Sequence, residues 1–328
     1  MGIYLLRKIR DMMITLLILV IIVFLMFYVI PGNPARIMLG MNAPADKVAR
    51  LEEELGINEP LPARFATYLG KLLSGDPGHS VRFDRPVIDL IKERLPMTLT
   101  LALFAFLLVL LLAIPLGLLA ARRPGGFLDS AIHVITEAHL AIPAFFMAIL
   151  LRLCAAAVSP TLNNLQYTEP EQSVGLFLLV LALPAAAIAL PRVALVVQFL
   201  RDAVVEQTSM DYVRTARSKG ATRKRIIFCH VLRNSMVPVV TTLGLVLGDV
   251  IGGSVIIEQV FMLPGIGRLL ITAVEARDFP LTQGIILFIA FAVILVSFLV
   301  DLLNQFIDPR LRERPAKRAR RGKVSGAC

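Results

Sequence analysis

Six stretches of the chain are long, apolar and nearly free of charge, and polar segments of contrasting character separate them. Met12 to Ile30 contains no charged residue. At ~1.5 Å rise per residue it predicts a helix about 28 Å long, close to the ~30 Å hydrocarbon core of a bilayer. Thr98 to Ala120 is the second run, interrupted only by Pro115 and Gly117. A membrane helix tolerates these where its neighbours re-satisfy the freed backbone. Ala131 to Val158 holds the third, starting near His133. Gly175 to Phe199, with Pro184 and Pro191 inside it, is the fourth, Met236 to Ile257 the fifth, and Thr282 to Ile307 the sixth. Runs of this length predict membrane spans rather than core helices. The expected fold is all-α: a polytopic membrane protein with six transmembrane helices.

The polar segments set the organisation. Pro31 to Met97 is a long insertion in which Lys47 to Leu55 and Pro62 to Leu73 read as short helices. Gly56 ends the first, and the turn cluster Ser74-Gly75-Asp76-Pro77-Gly78 ends the second. A connector of this length without its own structure is uncommon, so a small helical external subdomain is expected after the first span. The chain then divides into 1–30, the N-terminal segment and first span; 31–97, the insertion; 98–307, a five-helix core containing a cytoplasmic loop at 198–235; and a basic tail, 308–328.

Charge orients these pieces. Lys and Arg outnumber Asp and Glu by 34 to 24, a formal net charge of +10. The excess lies at Arg7, Lys8 and Arg10, at Arg122-Arg123, in the loop 198–235 and in the tail from Arg310 to Lys323. The positive-inside rule places all four in the cytoplasm, with both termini inside. The segment 159–173 has Glu169 and Glu171 but no Lys or Arg, and Glu258 to Leu281 carries little net charge; both read as outside. Basicity is thus explained by topology, and nucleic-acid binding is not expected. The first run has a basic flank, but Pro31-Gly32-Asn33-Pro34 follows it rather than a small-residue cleavage site, so it reads as a retained anchor.

Several chemistries are not expected. Cys154, Cys229 and Cys328 have no ligand spacing and are expected to be reduced and structural. His133, Glu137 and His139 invite a metal reading, but His-x5-His does not stack on one helix face. No Gly-x-x-x-x-Gly-Lys-Ser/Thr loop, HExxH or GxSxG motif occurs. The chain is expected to be no enzyme, with no catalytic residue, metal or cofactor of its own; ATP-driven work would need another chain.

The candidate residues fall in three places. Asp211-Tyr212-Val213-Arg214-Thr215-Ala216-Arg217-Ser218-Lys219-Gly220 is polar and basic between two apolar spans. It is either a loop that only holds topology or a docking surface. Ser209 or Asp211 is expected to cap a short helix, with Gly220 ending it in the left-handed conformation. Tyr212, Ala216 and Ile226 would pack inward, and the basic residues would face out. In the fifth span Gly244, Gly248 and Gly252 repeat every four residues on nearly one face. They permit close helix approach, either within the chain or at a pore or partner. Asp249 lies near the middle of that span, where a carboxylate usually faces a cavity or a partner. It lines the path and meets a cationic group of a substrate, pairs with Arg152 or Arg192, or sits nearer the interface. The third place is Glu258-x-Val260-Phe261-x-x-Pro264-Gly265-Ile266-Gly267-Arg268, where Pro264, Gly265 and Gly267 predict a tight external turn.

The stretch 211–220, followed by Leu232-Arg233-Asn234 and Pro238, resembles the cytoplasmic EAA loop of ABC-transporter permease subunits. The form is that of the dipeptide/oligopeptide/nickel branch, with Arg214-Thr215-Ala216 standing where the broad consensus has Glu-Ala-Ala. Leu55-Gly56 with Pro60-Leu61-Pro62, Gly75-Asp76-x-Gly78-x-Ser80, Arg94-Leu95-Pro96-x-Thr98, the block from Glu258, Ala276-Arg277-Asp278-Phe279-Pro280 and Asp308-Pro309-Arg310 are also similar to that family, in its order. The resemblance implies an inner-membrane component of a binding-protein-dependent importer working by alternating access. It implies a homologous second permease, two cytoplasmic ABC ATPases that carry ATP and Mg, and an extracytoplasmic substrate-binding protein. The loop at Asp211, Tyr212, Arg214, Thr215, Ala216, Arg217, Lys219 and Gly220 would couple to the ATPases. Peptides are the expected cargo; nickel or metallophore complexes, glutathione and opines are family alternatives. A passive channel or a membrane scaffold is the alternative of another class.

Overall fold

The computed structural model describes residues 2–29, 31–40, 42–158 and 173–307. Helix α1 (Gly2–Tyr28) opens the chain and takes the basic flank into the helix itself. Three short helices, α2 (Pro34–Leu39), α3 (Ala45–Glu54) and α4 (Leu61–Leu73), and a hairpin, β1 (His79–Ser80) with β2 (Arg85–Pro86), build the insertion. Then come α5 (Val87–Ala121), α6 (Phe127–Ala141), α7 (Ala144–Val158) and α8 (Val174–Thr208). The short α9 is Asp211–Ser218. A helical run begins at Arg223, passes through a π-turn at Ile226–Val231 and continues as α10 (Leu232–Val260). Helices α11 (Ile266–Glu275) and α12 (Phe279–Ile307) follow. Residues Glu169, Glu171, Cys328 and the basic tail lie outside the described residues.

Among the described residues, five helices are long and apolar enough to cross a bilayer, and they match the first, second, fourth, fifth and sixth expected spans. The third expected span is different. Residues 131–158 do not form one helix; α6 and α7 meet at 109° across Ile142-Pro143. Pro143 lacks the N–H that would continue the ladder, and its ring crowds the preceding turn. Asp129 and Glu137 stand eight residues apart on α6, yet they meet Arg201 and Gln198, within one turn of α8. Helix α6 therefore lies across that end of α8. From α7, Arg152 donates to the Val260 carbonyl at the opposite end of α10 (2.9 Å).

Other boundaries move for a shared reason, burial. The insertion ends at Pro86, not at residue 97, because Val87, Leu90 and Ile91 are buried against Ile266, Leu269, Ala273, Leu281 and Ile285. Pro96 is accommodated inside α5. The loop expected at 198–235 shrinks to a few residues around α9, since α8 and α10 extend beyond the apolar runs. The insertion helices fall where expected. Gly56 (φ +63°) follows α3, with the Ile57 amide returning to the Glu52 carbonyl (3.0 Å). Helix α2 was not expected; Asn33 caps it, accepting from the Ala35 amide at 3.0 Å.

Helix α8 is the axis of the core. It contacts α5, α6, α7 and α10, and the main apolar cluster runs along it from Phe177 to Val204. Helices α1 and α12 are the least buried of the spans. They pair with each other, and Lys8 bonds Asp301, so the start of α1 and the end of α12 lie on one side. Helix α4 packs Phe65, Tyr68, Leu69 and Leu72 on α1 and α12. The hairpin is fastened by Asp278: its carboxylate accepts from the Ser80 hydroxyl (2.6 Å), the Arg82 amide (2.9 Å) and the Leu281 amide (3.1 Å).

Candidate functional site

Three arrangements carry the candidate residues. The first is α9. The expected side-chain cap is absent: Met210 is the N-cap residue and makes no side-chain cap bond, Asp211 lies in the first turn, and the Ser209 hydroxyl turns back to the Glu206 carbonyl (2.7 Å). Because α8 runs on to Thr208, Ser209 completes its C-terminus instead of starting α9. The other end is as expected. Gly220 has φ +81°, its amide bonds the Arg217 carbonyl (3.0 Å), and the Ala221 amide bonds that of Ala216 (3.1 Å). These two bonds make a Schellman stop.

One face of α9 is seated. Val213 is 2% exposed, and Tyr212, Ala216, Ala221 and the buried Ile226 pack on the same cluster. The Tyr212 hydroxyl donates to Gln207 (3.0 Å). Beneath, the Ser235 hydroxyl donates to the Ala203 carbonyl (3.2 Å), tying the base of α10 to α8. The other face presents Asp211, Arg214, Thr215, Arg217 and Lys219 to the surface. The loop is thus a fixed protrusion held by the ends of two spans. Val213, the most buried residue of the element, was missed; a lone valine in a basic stretch carries no signal beyond its spacing from Ala216. The π-turn above α9 was also not foreseen.

The second is the turn between α10 and α11. Glu258 is fully buried at the end of α10. It accepts from the Thr98 hydroxyl of α5 (2.7 Å), the Gly267 amide (2.7 Å) and the Arg268 amide (3.4 Å). Thr98 Oγ1 in turn accepts from the Ile266 amide (2.9 Å). A carboxylate from one helix thereby satisfies the orphan donors at the start of another, where negative charge is favoured. The glycines make room for it: a Cβ on Gly265 would lie 2.3 Å from the Glu258 carboxyl carbon, and one on Gly267 2.2 Å from the Val255 Cα. The turn predicted at Pro264, Gly265 and Gly267 is present, but Glu258 and Thr98 organise it.

The third is the middle of α10. Gly244 faces α12, where a Cβ would lie 1.9 Å from a Val300 methyl, and Gly248 is in ordinary contact with Val293 and Ser297. These two serve packing inside the chain, whereas Gly252 faces open space. Of the three readings of Asp249, pairing with Arg192 is realised. Arg192 Nε and Nη2 each lie 2.8 Å from Asp249 Oδ2, and Nη1 donates to the Ile188 carbonyl (3.0 Å). Gly253 clears space for the guanidinium: a Cβ there would lie 2.5 Å from Nη2. Arg152 instead reaches Val260. His133 stands 3.9 Å from Glu137, and His139 is turned to its own helix backbone. Cys154 and Cys229 are free and exposed.

The molecule is a polytopic helical body with a basic element seated between two of its spans. Residues 113–313 match the family described as the inner membrane component of binding-protein-dependent transport systems, and residues 1–102 match its N-terminal component. The chain belongs to this family. A probable peptide ABC transporter permease protein of Sinorhizobium fredii is 36% identical over 95% of this chain and 100% of its own. A probable D,D-dipeptide transport system permease protein of Escherichia coli is 36% identical, covering 89% and 92%. A glutathione transport system permease protein of Salmonella choleraesuis is 34% identical, covering 94% and 98%. A chain of the MetNI methionine ABC transporter, solved in inward-facing conformations, shares the fold. Its TM-score is 0.53 at 17% identity, over 67% of this chain and 96% of that chain. Subunits of this family are permeases and not enzymes.

Proposed function

We propose that the chain is the membrane-spanning permease subunit of an ATP-driven importer of peptides, acting by alternating access at the inner membrane. The observation that carries the reading is the seat of α9: one face is buried on the ends of α8 and α10, and the other offers Arg214, Arg217 and Lys219 to a partner. An ATPase gripping that protrusion moves the spans rather than a slack loop. In this reading two cytoplasmic ABC ATPases hold ATP and Mg, a homologous second permease completes the path, and an extracytoplasmic binding protein delivers cargo. Both termini then lie in the cytoplasm. Peptide cargo is supported by the peptide and dipeptide names of full-length relatives. Glutathione is the second reading, favoured by the Salmonella relative.

The test is reconstitution with two ABC ATPases, a second permease and a binding protein. The expected result is ATP-dependent accumulation of short peptides from a panel that includes glutathione and nickel complexes. Transport without nucleotide would point to a channel, and no transport to a scaffold. Arg214→Cys should crosslink to an ATPase subunit and resist impermeant labelling from outside.

A further inference from the structure

Near the midpoint of the spans, one face of α10 is uncovered. Thr241, Leu245, Asp249, Gly252, Ile256 and Gln259 recur at intervals of three or four and are all exposed, so they form one helical stripe. The Asp249 side chain is 63% exposed, while that of its partner Arg192 is 10% exposed. Arg192 lies near the centre of α8, and Asp249 lies well inside α10. A carboxylate at that depth faces a wet cavity or a partner and not lipid, because hydrocarbon offers it no hydrogen bonds. The stripe therefore marks the side of α10 turned from the bilayer.

The carboxylate is held in a built seat. Both contacts from Arg192 go to Oδ2, and Gly253 admits the guanidinium against the α10 backbone. The carboxylate is nonetheless mostly exposed. One turn along, Gly252 has no atom within 4 Å of where a Cβ would stand, so the space beside the carboxylate on the same face is open.

We propose that Asp249, positioned by Arg192, is a substrate-contacting residue of the translocation path, and that its carboxylate receives the ammonium or guanidinium groups of peptides in transit. The pair is neutral overall, so it orients a cation without holding it strongly, as a conducting site requires. Thr241 and Gln259 extend polar character along the same face on either side. The inference rests on the reading of the chain as a peptide permease.

The test uses the assembled complex in proteoliposomes with saturating binding protein. The readout is the ratio of uptake rates for a Lys-containing and a Glu-containing tripeptide of equal length. Asp249→Asn is expected to lower that ratio about tenfold, a difference of about 1.4 kcal/mol. Asp249→Glu should restore most of it. Leu245→Cys and Ile256→Cys, in a background without native cysteines, should react with a small water-soluble maleimide, and transported peptide should slow that reaction. An unchanged ratio in Asp249→Asn overturns the inference while leaving peptide import standing. So does lack of labelling at both cysteines, which would mean that the second permease or lipid covers the stripe. Absence of any peptide uptake by the wild-type complex would instead sink the reading it rests on.

Discussion

At Gly267 a methyl group would meet the Val255 backbone, and at Gly265 it would meet the Glu258 carboxylate. Overpacking of this kind costs about 1–3 kcal/mol, or more where backbone must move. Gly265→Ala and Gly267→Ala are expected to lower the melting temperature of the purified protein, whereas Gly252→Ala, with open space around it, leaves it unchanged or slightly raised. Glu258→Ala strands the Thr98 hydroxyl and the Gly267 amide; each unsatisfied buried group costs about 1–3 kcal/mol. Hydrogen exchange at the Gly267 and Arg268 amides should speed up markedly, and less so in Glu258→Gln. The glycines were legible in sequence as turn residues. Glu258 was legible only as part of a motif, because its partner Thr98 is 160 residues away. Asp249 stood out as a charge in an apolar run, but nothing local singled out Arg192 over Arg152.

Helix α9 shows how an element acquires direction. Its polar face is solvated, and its position depends on Val213 and on the stop at Gly220. Val213→Ala removes two buried methyl groups, about 1.6 kcal/mol at ~0.8 kcal/mol each. Gly220→Ala places a Cβ in the left-handed region, about 1–2 kcal/mol. Both should leave the complex assembled and its ATPase active while lowering uptake, measured as the ratio of transport to hydrolysis. Unchanged ratios in both variants would remove α9 from the coupling. The basic pattern and the glycine stop were readable because they are local. The missing side-chain cap was not, since it follows from how far α8 continues.

Across the whole molecule the insertion is part of the body and not an appendage. Helix α4 lies on α1 and α12, and Tyr68 is half-buried there beside Phe24, its ring centroid 5.6 Å away. Burial disfavours the phenolate and pushes the Tyr68 pKa up to about 12. The folded pKa lies above the unfolded value, so this contribution is intact below about pH 10 and is lost as pH rises through about 12. An absorbance titration should show a late ionisation near pH 12, and Tyr68→Phe should abolish that step. Loosening α4, as Leu69→Ala and Leu72→Ala would, should bring the step down toward 10. The sequence by itself determined the number and order of apolar runs, the alternation of basic and neutral connections, and the family, because hydropathy, charge and short motifs are written locally. Tertiary structure decided where the spans end, the bend at Ile142-Pro143, which glycines face a neighbour, and the pairing of Asp249 with Arg192 across 57 residues. Those depend on which faces meet, and burial of one helix against another is a property of no single stretch.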